Sequence, residues 1–175
     1  MIIQFTGLSG SGKTTIADGV KRKLEAEGIP VEVIDGDRYR QTICKDLGFS
    51  KEDRHENIRR LGNVAFAFDQ KNFVAILAAI NPYAEIRYEL REKYHSKIVY
   101  LECNLSTLVE RDTKGLYKRA LLPDEHPDKL FHLTGISDPY DIPSDANLVL
   151  KTDIETIEQS VEKLYHFILD NLNNS

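Results

Sequence analysis

The sequence has few cysteines, no long apolar run and no excess of basic residues. Only Cys44 and Cys103 are cysteines among its 175 residues, and no C-x-x-C pair occurs. Two widely separated thiols exclude a disulfide framework and are typical of a reducing compartment, so we expect a cytoplasmic protein. Because the chain has no run of about 18 apolar residues and no signal-peptide pattern at its N-terminus, we expect neither a membrane partner nor export.

The charge balance disfavours nucleic acid as a partner. The formal net charge is −5, so the surface as a whole should repel a polyanion. The five histidines show no metal-ligand spacing. A small anionic ligand would therefore need a local cluster of basic side chains, and "DRHENIRR" at 53–60 is a candidate for that cluster.

Apolar runs alternate with helical periods along the chain. The pattern predicts strands at 1–5, 31–35, 73–80, 97–103 and 146–152, and helices at 13–27, at 50–70 and from Pro82 to about Tyr94. A last helix is predicted to open on a capping box of Thr152 and Glu155. This alternation predicts one α/β domain over residues 1–175, with a parallel sheet of five strands and helices on both faces. Residues 112–145 interrupt the pattern, as a functional lid or a disordered segment would.

A phosphate-binding motif follows the first predicted strand. "GLSGSGKT" at 7–14 matches G-x-x-x-x-G-K-[ST], with a strand before it and a helix after it. Its backbone N–H groups would cradle phosphates, Lys13 would reach the β- and γ-phosphates, and the Thr14 hydroxyl would ligate Mg²⁺. The flanking elements disfavour a merely flexible surface turn. The predicted nucleotide-binding residues are Gly7, Ser9, Gly10, Ser11, Gly12, Lys13, Thr14 and Thr15. The chain has no N-K-x-D motif, which disfavours a switch GTPase.

Two carboxylates follow the second predicted strand in "DGDRYR" at 35–40. Ligands of parallel sheets bind outside the carboxyl ends of the strands, so Asp35 and Asp37 should face the same crevice as the phosphate-binding loop. One carboxylate would orient Mg²⁺, and the other would accept a proton from an attacking hydroxyl. The alternative is a purely structural turn in which Asp37 caps a helix.

A group of donors and one aromatic residue lie in "LGFSKEDRHENIRR" at 47–60. Arg54 and Asn57 are three residues apart and share a helix face, and together with Arg40 they would suit a phosphate or sulfate group. The alternative is a solvated helix face. Phe49, in a Gly-Phe-Ser turn, is a candidate to stack on a base, and a core anchor is the alternative.

Five segments in the same order resemble the adenylylsulfate kinase family of P-loop kinases. They are "GLSGSGKTT", "DGDRYR", "DLGFSKEDRHENIRRLGNVA", "ERDTKGLYKRA" and "LTGISDPYDIP". The similarity runs from about residue 2 to residue 152. It implies a P-loop kinase fold with a five-stranded parallel core and a mobile lid, and a homodimer. It also implies that ATP and Mg²⁺ are used to phosphorylate the 3′-hydroxyl of adenosine 5′-phosphosulfate (APS).

The resemblance also implies roles for single residues. Asp37 would activate the 3′-hydroxyl, Asp35 would support the metal or the Asp37 turn, and Lys13 would neutralise phosphate charge. Arg111 would lie near the adenine of ATP, and residues 112–137 would form the lid over both nucleotides. The acceptor-binding residues would be Asp37, Arg40, Phe49, Arg54 and Asn57.

The chain departs from the family pattern on the acceptor side. Asn81 to Ala84, "NPYA", stands where the family usually has Ser-Pro-Tyr-Arg. In the lid, Leu133 replaces a phenylalanine that would cover the base, and Phe131 replaces a lysine. The segment 121–130 is an insertion. Asn81, Phe131 and Leu133 are retained as candidate acceptor-binding residues.

These departures leave the acceptor open. One hypothesis is APS phosphorylation in sulfate assimilation. The second is phosphorylation of a related 5′-modified nucleotide such as cytidine diphosphoramidate, since a smaller stacking wall suits a pyrimidine. The third is a non-catalytic P-loop module, which the presence of Lys13, Thr14 and Asp37 disfavours.

Overall fold

A parallel sheet of five strands forms the centre of the molecule. The computed structural model describes residues 1–173. The strands are β1 (Ile2–Thr6), β2 (Val31–Asp35), β3 (Val74–Ala78), β4 (Lys97–Glu102) and β5 (Leu148–Lys151), in the order β2-β3-β1-β4-β5. Ile3 of β1 lies opposite Ile76 of β3 and Lys97 of β4. Both β1 and β3 are buried along their whole length, which explains why apolar residues predominate on both of their faces.

Helices cover both faces of this sheet, as predicted. They are α1 (Lys13–Ala26), α2 (Gly36–Arg40), α3 (Lys51–Asp69), α4 (Ala84–Tyr94), α5 (Leu105–Arg111), α6 (Leu116–Ala120) and α7 (Ile157–Asn173). On one face, Val20 and Leu24 of α1 pack with Leu164 of α7. On the other face, Ile58 of α3 packs with Leu90 of α4. Within residues 1–173, no helix combines the length and the apolar character needed to cross a membrane.

The carboxyl ends of β1, β2 and β3 meet at one edge of the sheet. There the backbone N–H of Gly7 donates to the carbonyl oxygen of Ile80 at 3.2 Å, and the Thr6 hydroxyl donates to the carbonyl oxygen of Asn81 at 3.0 Å. Asp35 ends the neighbouring strand β2 at the same edge. The fold therefore brings the phosphate-binding loop, the acidic turn and the "NPYA" segment together.

The start of α7 differs from the prediction. A capping box is present, but Thr156 and Gln159 form it, with reciprocal bonds of 2.9 and 3.2 Å, so the predicted pair of Thr152 and Glu155 is wrong. Thr152 is engaged elsewhere, because its backbone N–H donates to the carbonyl oxygen of Glu102 and prolongs the β4–β5 pairing. Ile154, which the predicted capping box places inside the helix, precedes it and is 75% exposed.

The other corrections are small. The helix predicted from Pro82 begins at Ala84, whose backbone N–H donates to the Asp141 carboxylate at 2.9 Å. The interrupted segment 112–145 contains the short helix α6 and a single bridge between Thr134 and Asp138. The long helix α3 begins as predicted after Ser50, whose hydroxyl accepts from the backbone of the third residue after it.

Candidate active site

A cleft of about 700 Å³ opens at the carboxyl edge of the sheet. The predicted site residues that line it are Ser9, Gly10, Gly12, Lys13, Thr14, Thr15, Asp35, Asp37, Arg40, Phe49, Arg54, Asn57, Asn81 and Leu133. Lid residues on its wall that the sequence did not single out include His132 and Thr134. The fold thus brings residues from five separate segments of the chain into one cavity.

The phosphate-binding loop is built around two glycines. Gly12 has φ of 89°, in the left-handed region that glycine tolerates, and α1 begins at the next residue. Gly7 lies behind the loop, where a Cβ atom would come within 2.8 Å of the carbonyl oxygen of Leu101. Gly7 and the buried Ser11 therefore shape the loop from behind and do not line the cleft.

Lys13 is held inside the loop. Its Nζ donates to the carbonyl oxygens of Gly7 and Leu8 at 2.9 and 2.7 Å. Burial, reinforced by the positive charge of Lys114, lowers the pKa of Lys13 to about 7, although Asp37 and Asp35 act in the opposite direction. The positive charge of Lys13 is therefore poorly balanced by neighbouring negative charges, and a phosphate group close to it would favour its charged form.

The two carboxylates of the acidic turn have different surroundings. Asp35 is the N-cap of α2, because one oxygen accepts from the backbone N–H groups of Asp37 and Arg38 at 2.9 and 3.1 Å. Its other oxygen accepts from the Thr14 hydroxyl at 2.8 Å. Asp37 is not the cap, which contradicts the structural alternative. Its exposed side chain pairs with Lys114 of the lid.

A hydroxyl and a carboxylate in contact form a donor set that suits Mg²⁺, which prefers oxygen ligands. Thr14 and Asp35 supply these two groups at the foot of the loop. Nowhere in the described chain do three or more His, Cys, Asp or Glu residues gather to hold a metal ion. A magnesium ion here would therefore complete its coordination with phosphate oxygens and water, as is usual in nucleotide sites.

Two arginines surround the turn that carries Phe49. Arg40 Nη1 donates to the carbonyl oxygen of Gly48 at 2.9 Å, and Arg54 Nε donates to that of Phe49 at 3.0 Å. Their guanidinium carbons lie 4.6 and 5.4 Å from the centre of the Phe49 ring. Phe49 is 54% exposed, so it is not a core anchor. Arg54 and Asn57 are buried, so the alternative of a solvated helix face is wrong.

Asn81 belongs to a buried polar network that sequence reasoning missed. Gln4 Nε2 donates to the carbonyl oxygen of Arg87 at 2.9 Å, which leaves Gln4 Oε1 to accept from Asn81 Nδ2 at 2.9 Å. The orientation of the Asn81 amide is thereby fixed. Its Oδ1 is buried without a partner among the described residues, as are Asn57 Oδ1 and Thr134 Oγ1. The signal in the sequence was Gln4, a polar residue inside an apolar strand.

Besides Gly7 and Ser11, two predicted residues lie outside the cleft lining, namely Phe131 and Arg111. Phe131 is exposed on the lid, whereas Leu133 is buried and packs in a small cluster that includes Leu108 and Tyr117. Arg111 Nη2 donates to the carbonyl oxygen of Thr152 at 2.7 Å, at the end of β5. The base wall that the resemblance implied is therefore aliphatic in this chain.

The family model of adenylylsulphate kinase matches residues 1–151. The chain belongs to the adenylylsulphate kinase family. A family relative, the adenylyl-sulfate kinase of Microcystis aeruginosa, is 44% identical over 165 residues, which are 94% of this chain and 88% of the relative. The adenylyl-sulfate kinase of Bacillus licheniformis is 44% identical over 174 residues, 97% of this chain and 85% of the relative.

The fold of this adenylylsulphate kinase family member is also found in solved structures. The APS kinase of Mycobacterium tuberculosis, in complex with AMPPNP and APS, superimposes with a TM-score of 0.89 at 35% identity, and 96% of each chain is covered. The family resemblance and the P-loop kinase fold predicted from the sequence are thus confirmed.

Proposed function

We propose that the protein transfers the γ-phosphoryl group of ATP to the 3′-hydroxyl of APS, giving 3′-phosphoadenosine 5′-phosphosulfate for sulfate assimilation. Family membership supports this reaction. The observation that carries it is the meeting of the phosphate-binding loop, Asp37 and the Phe49 turn on the walls of one cleft. Donor phosphates, a proton acceptor and a platform for a base are the parts that transfer between two nucleotides requires.

The phosphate-binding loop would hold the donor nucleotide. Its backbone N–H groups and Lys13 neutralise phosphate charge, and Thr14 with Asp35 holds Mg²⁺, which when bound supplies further charge neutralisation. Arg111 is assigned to the adenine of ATP from the family resemblance. Asp37 accepts the proton of the attacking hydroxyl, because both oxygens of Asp35 are already engaged.

The acceptor nucleotide would occupy the half of the cleft around Phe49. The ring stacks on the base, and the cations beside it attract the anionic 5′ group. Burial and the charge of Arg54 lower the pKa of Arg40, so an anion beside Arg40 would stabilise its charged form. The buried oxygens of Asn57 and Asn81 accept hydrogen bonds, so they suit a hydroxyl or amino donor of the acceptor.

The proposal also includes the domain organisation, the lid, the oligomeric state and the location of the protein. Residues 1–175 form a single P-loop nucleotide kinase domain, and residues 112–137 form a lid that excludes water during transfer. The Tyr117 hydroxyl supports the lid assignment, because it donates to the carbonyl oxygen of Ser9 in the phosphate-binding loop at 2.8 Å. A homodimer is proposed from the family resemblance, and a cytoplasmic location from the free thiols Cys44 and Cys103.

A second candidate acceptor is a nucleotide with a smaller base, such as cytidine diphosphoramidate. Leu133 favours it, because this buried aliphatic side chain lines the cleft and Phe131 does not. Among the described lining residues, Phe49 is the one phenylalanine, tyrosine or tryptophan. A base stacked on a single ring is held less tightly, since each aromatic wall contributes about 1–3 kcal/mol.

ADP release against a panel of acceptors tests the function. APS, cytidine diphosphoramidate, adenylate and cytidylate are each supplied with ATP and magnesium, and Lys13→Ala is the control for contaminating kinases. We expect APS to give the highest kcat/KM. A clear preference for the cytidine compound would replace the acceptor and keep the chemistry. ADP release that no acceptor stimulates would contradict a kinase of these nucleotides.

Nucleotide binding is expected to take up a proton at alkaline pH. Lys13 has a pKa of about 7 in the nucleotide-free protein, and bound phosphates raise it by favouring the charged form. At pH 8, above that pKa, a large part of the Lys13 side chains is neutral before binding, so ATP binding takes up protons. The contribution of Lys13 to ATP affinity therefore weakens as the pH rises above about 7.

Calorimetry at pH 8 in buffers of different ionisation enthalpy measures this uptake. The triphosphate is already ionised at that pH, so the uptake reports the protein. Lys13→Ala should abolish it. Binding without any proton uptake by the unmodified protein would contradict the lowered pKa of Lys13.

A further inference from the structure

A buried ion pair joins helix α3 to Asp138, the residue that directly follows the lid. Arg54 Nη2 donates to Asp138 Oδ2 at 2.7 Å, and the two side chains are 8% and 15% exposed. The same nitrogen donates to the carbonyl oxygen of His132 at 3.1 Å. One edge of the guanidinium is therefore committed to the lid, and it is not free to contact an anion in the cleft.

The same guanidinium also supports the Phe49 turn. Arg54 Nε donates to the carbonyl oxygen of Phe49, and the guanidinium lies over the Phe49 ring. Arg40 supports the turn at other positions, because its Nη1 donates to the carbonyl oxygens of Leu47 and Gly48. Arg54 is thus the one described side chain that contacts both the turn and the lid through hydrogen bonds.

The segment that presents Asp138 is itself well defined. The Gly135 N–H donates to the carbonyl oxygen of Asp138 at 2.8 Å, and the Asp138 N–H donates to that of Leu133 at 3.1 Å. The carboxylate therefore offers a fixed point to the long and otherwise flexible Arg54 side chain. Removing the carboxylate would leave a buried guanidinium without its counter-charge, which is strongly unfavourable, so the guanidinium would turn toward the cleft.

Given the APS-directed activity proposed above, we propose that Asp138 is a positioning residue for the acceptor nucleotide. It holds the Arg54 guanidinium against the Phe49 turn, and so keeps the Phe49 ring in the orientation that stacks on the acceptor base. Asp138 itself does not contact the substrate. Its effect reaches the base through Arg54 and Phe49, and it couples the lid to the acceptor half of the cleft.

Steady-state kinetics of Asp138→Asn tests the proposal. We expect KM for APS to rise about tenfold or more, the effect of a lost stacking wall, while KM for ATP stays within about twofold. Asp18→Asn makes the same chemical change at an exposed position of α1 outside the cleft lining and is the matched control, with both KM values unchanged. Asp138→Glu keeps the carboxylate and should restore part of the lost affinity, and it replaces Asp138→Asn if that variant does not fold.

The route through Phe49 is tested in a double variant. In a Phe49→Ala background, Asp138→Asn should have little further effect on KM for APS, because the ring on which it acts is gone. An equal effect with and without Phe49 would overturn the proposal. A parallel rise of both KM values with a lower melting temperature would show a merely structural role and would also overturn it.

Hydrogen exchange separates this proposal from the proposed function. In the nucleotide-free protein, Asp138→Asn should accelerate amide exchange in the peptide over residues 47–50, and Asp18→Asn should not. Unchanged exchange would overturn the positioning role whatever the substrate. A wild-type protein that does not phosphorylate APS would overturn the proposed function, and the exchange experiment would still decide the role of Asp138.

Discussion

Replacing Asp37 by asparagine is expected to lower kcat at least about 100-fold, while the affinity for ATP stays within about twofold. The reason is that Asp35 and Asp37 make different contacts in the acidic turn. Asp35 uses one oxygen to cap α2 and the other to accept from Thr14. The Asp37 carboxylate lies on the wall of the cleft, and among the described side chains only Lys114 donates a hydrogen bond to it, at one of its two oxygens. Its lone pairs are therefore available to receive a hydroxyl proton.

Single-turnover rates with saturating ATP and APS measure this effect, and calorimetry with ATP alone measures binding. Asp18→Asn is the matched control, because Asp18 is an exposed carboxylate on α1. It should leave both quantities unchanged. Near-normal turnover of Asp37→Asn would remove Asp37 from its proposed role. A large loss of ATP affinity would instead show that Asp37 acts on the donor side of the cleft.

The sheet and its helices could be predicted because each element carries its own pattern. Strands β1 and β3 are buried on both faces, so their sequences are mostly apolar, and the helices show apolar residues at helical spacing. The start of α7 could not be fixed in this way. Thr152 and Thr156 are both good caps in sequence, and only the pairing of Thr152 with Glu102 decides between them.

The chemistry of the site was predictable where the residues are contiguous. Lys13 and Thr14 stand in a local motif whose backbone shape follows from its glycines, and Asp37 follows a recognisable strand. The partners that orient the site could not be predicted. Asp138 is 84 residues from Arg54 and Gln4 is 77 residues from Asn81, and neither pair is marked by a sequence pattern.

The two arginines of the acceptor side lie where they were predicted, but they form hydrogen bonds that were not predicted. Arg40 and Arg54 were predicted as donors to an oxyanion because guanidinium groups match oxyanion geometry. In the structure several of their N–H groups donate hydrogen bonds to carbonyl oxygens of residues 47–49 and of the lid. A tight turn leaves such carbonyls without backbone partners, and side chains satisfy them. The positive charges of Arg40 and Arg54 lie near the cleft, but several of their N–H groups are already engaged and are not available to a ligand.

Replacing Lys13 by alanine is expected to lower kcat by about 100- to 1,000-fold, the usual cost of removing one donor that stabilises transition-state charge. In the nucleotide-free protein the Lys13 ammonium is already placed by the carbonyl oxygens of Gly7 and Leu8. The Lys13 side chain is therefore already in the loop before phosphate binds. Lys13→Arg should not restore the rate, because a planar guanidinium cannot take the place of a compact ammonium between those two carbonyl groups.

Turnover of Lys13→Ala is compared with that of Lys45→Ala, which removes an exposed lysine outside the cleft. The control should retain wild-type turnover, which excludes an effect of net charge alone. The melting temperature of Lys13→Ala should be close to that of the wild type, since the interactions lost are two bonds to carbonyl oxygens in a loop. Turnover within about tenfold of wild type would contradict the assignment, because a donor on the transferred phosphoryl group contributes more than that.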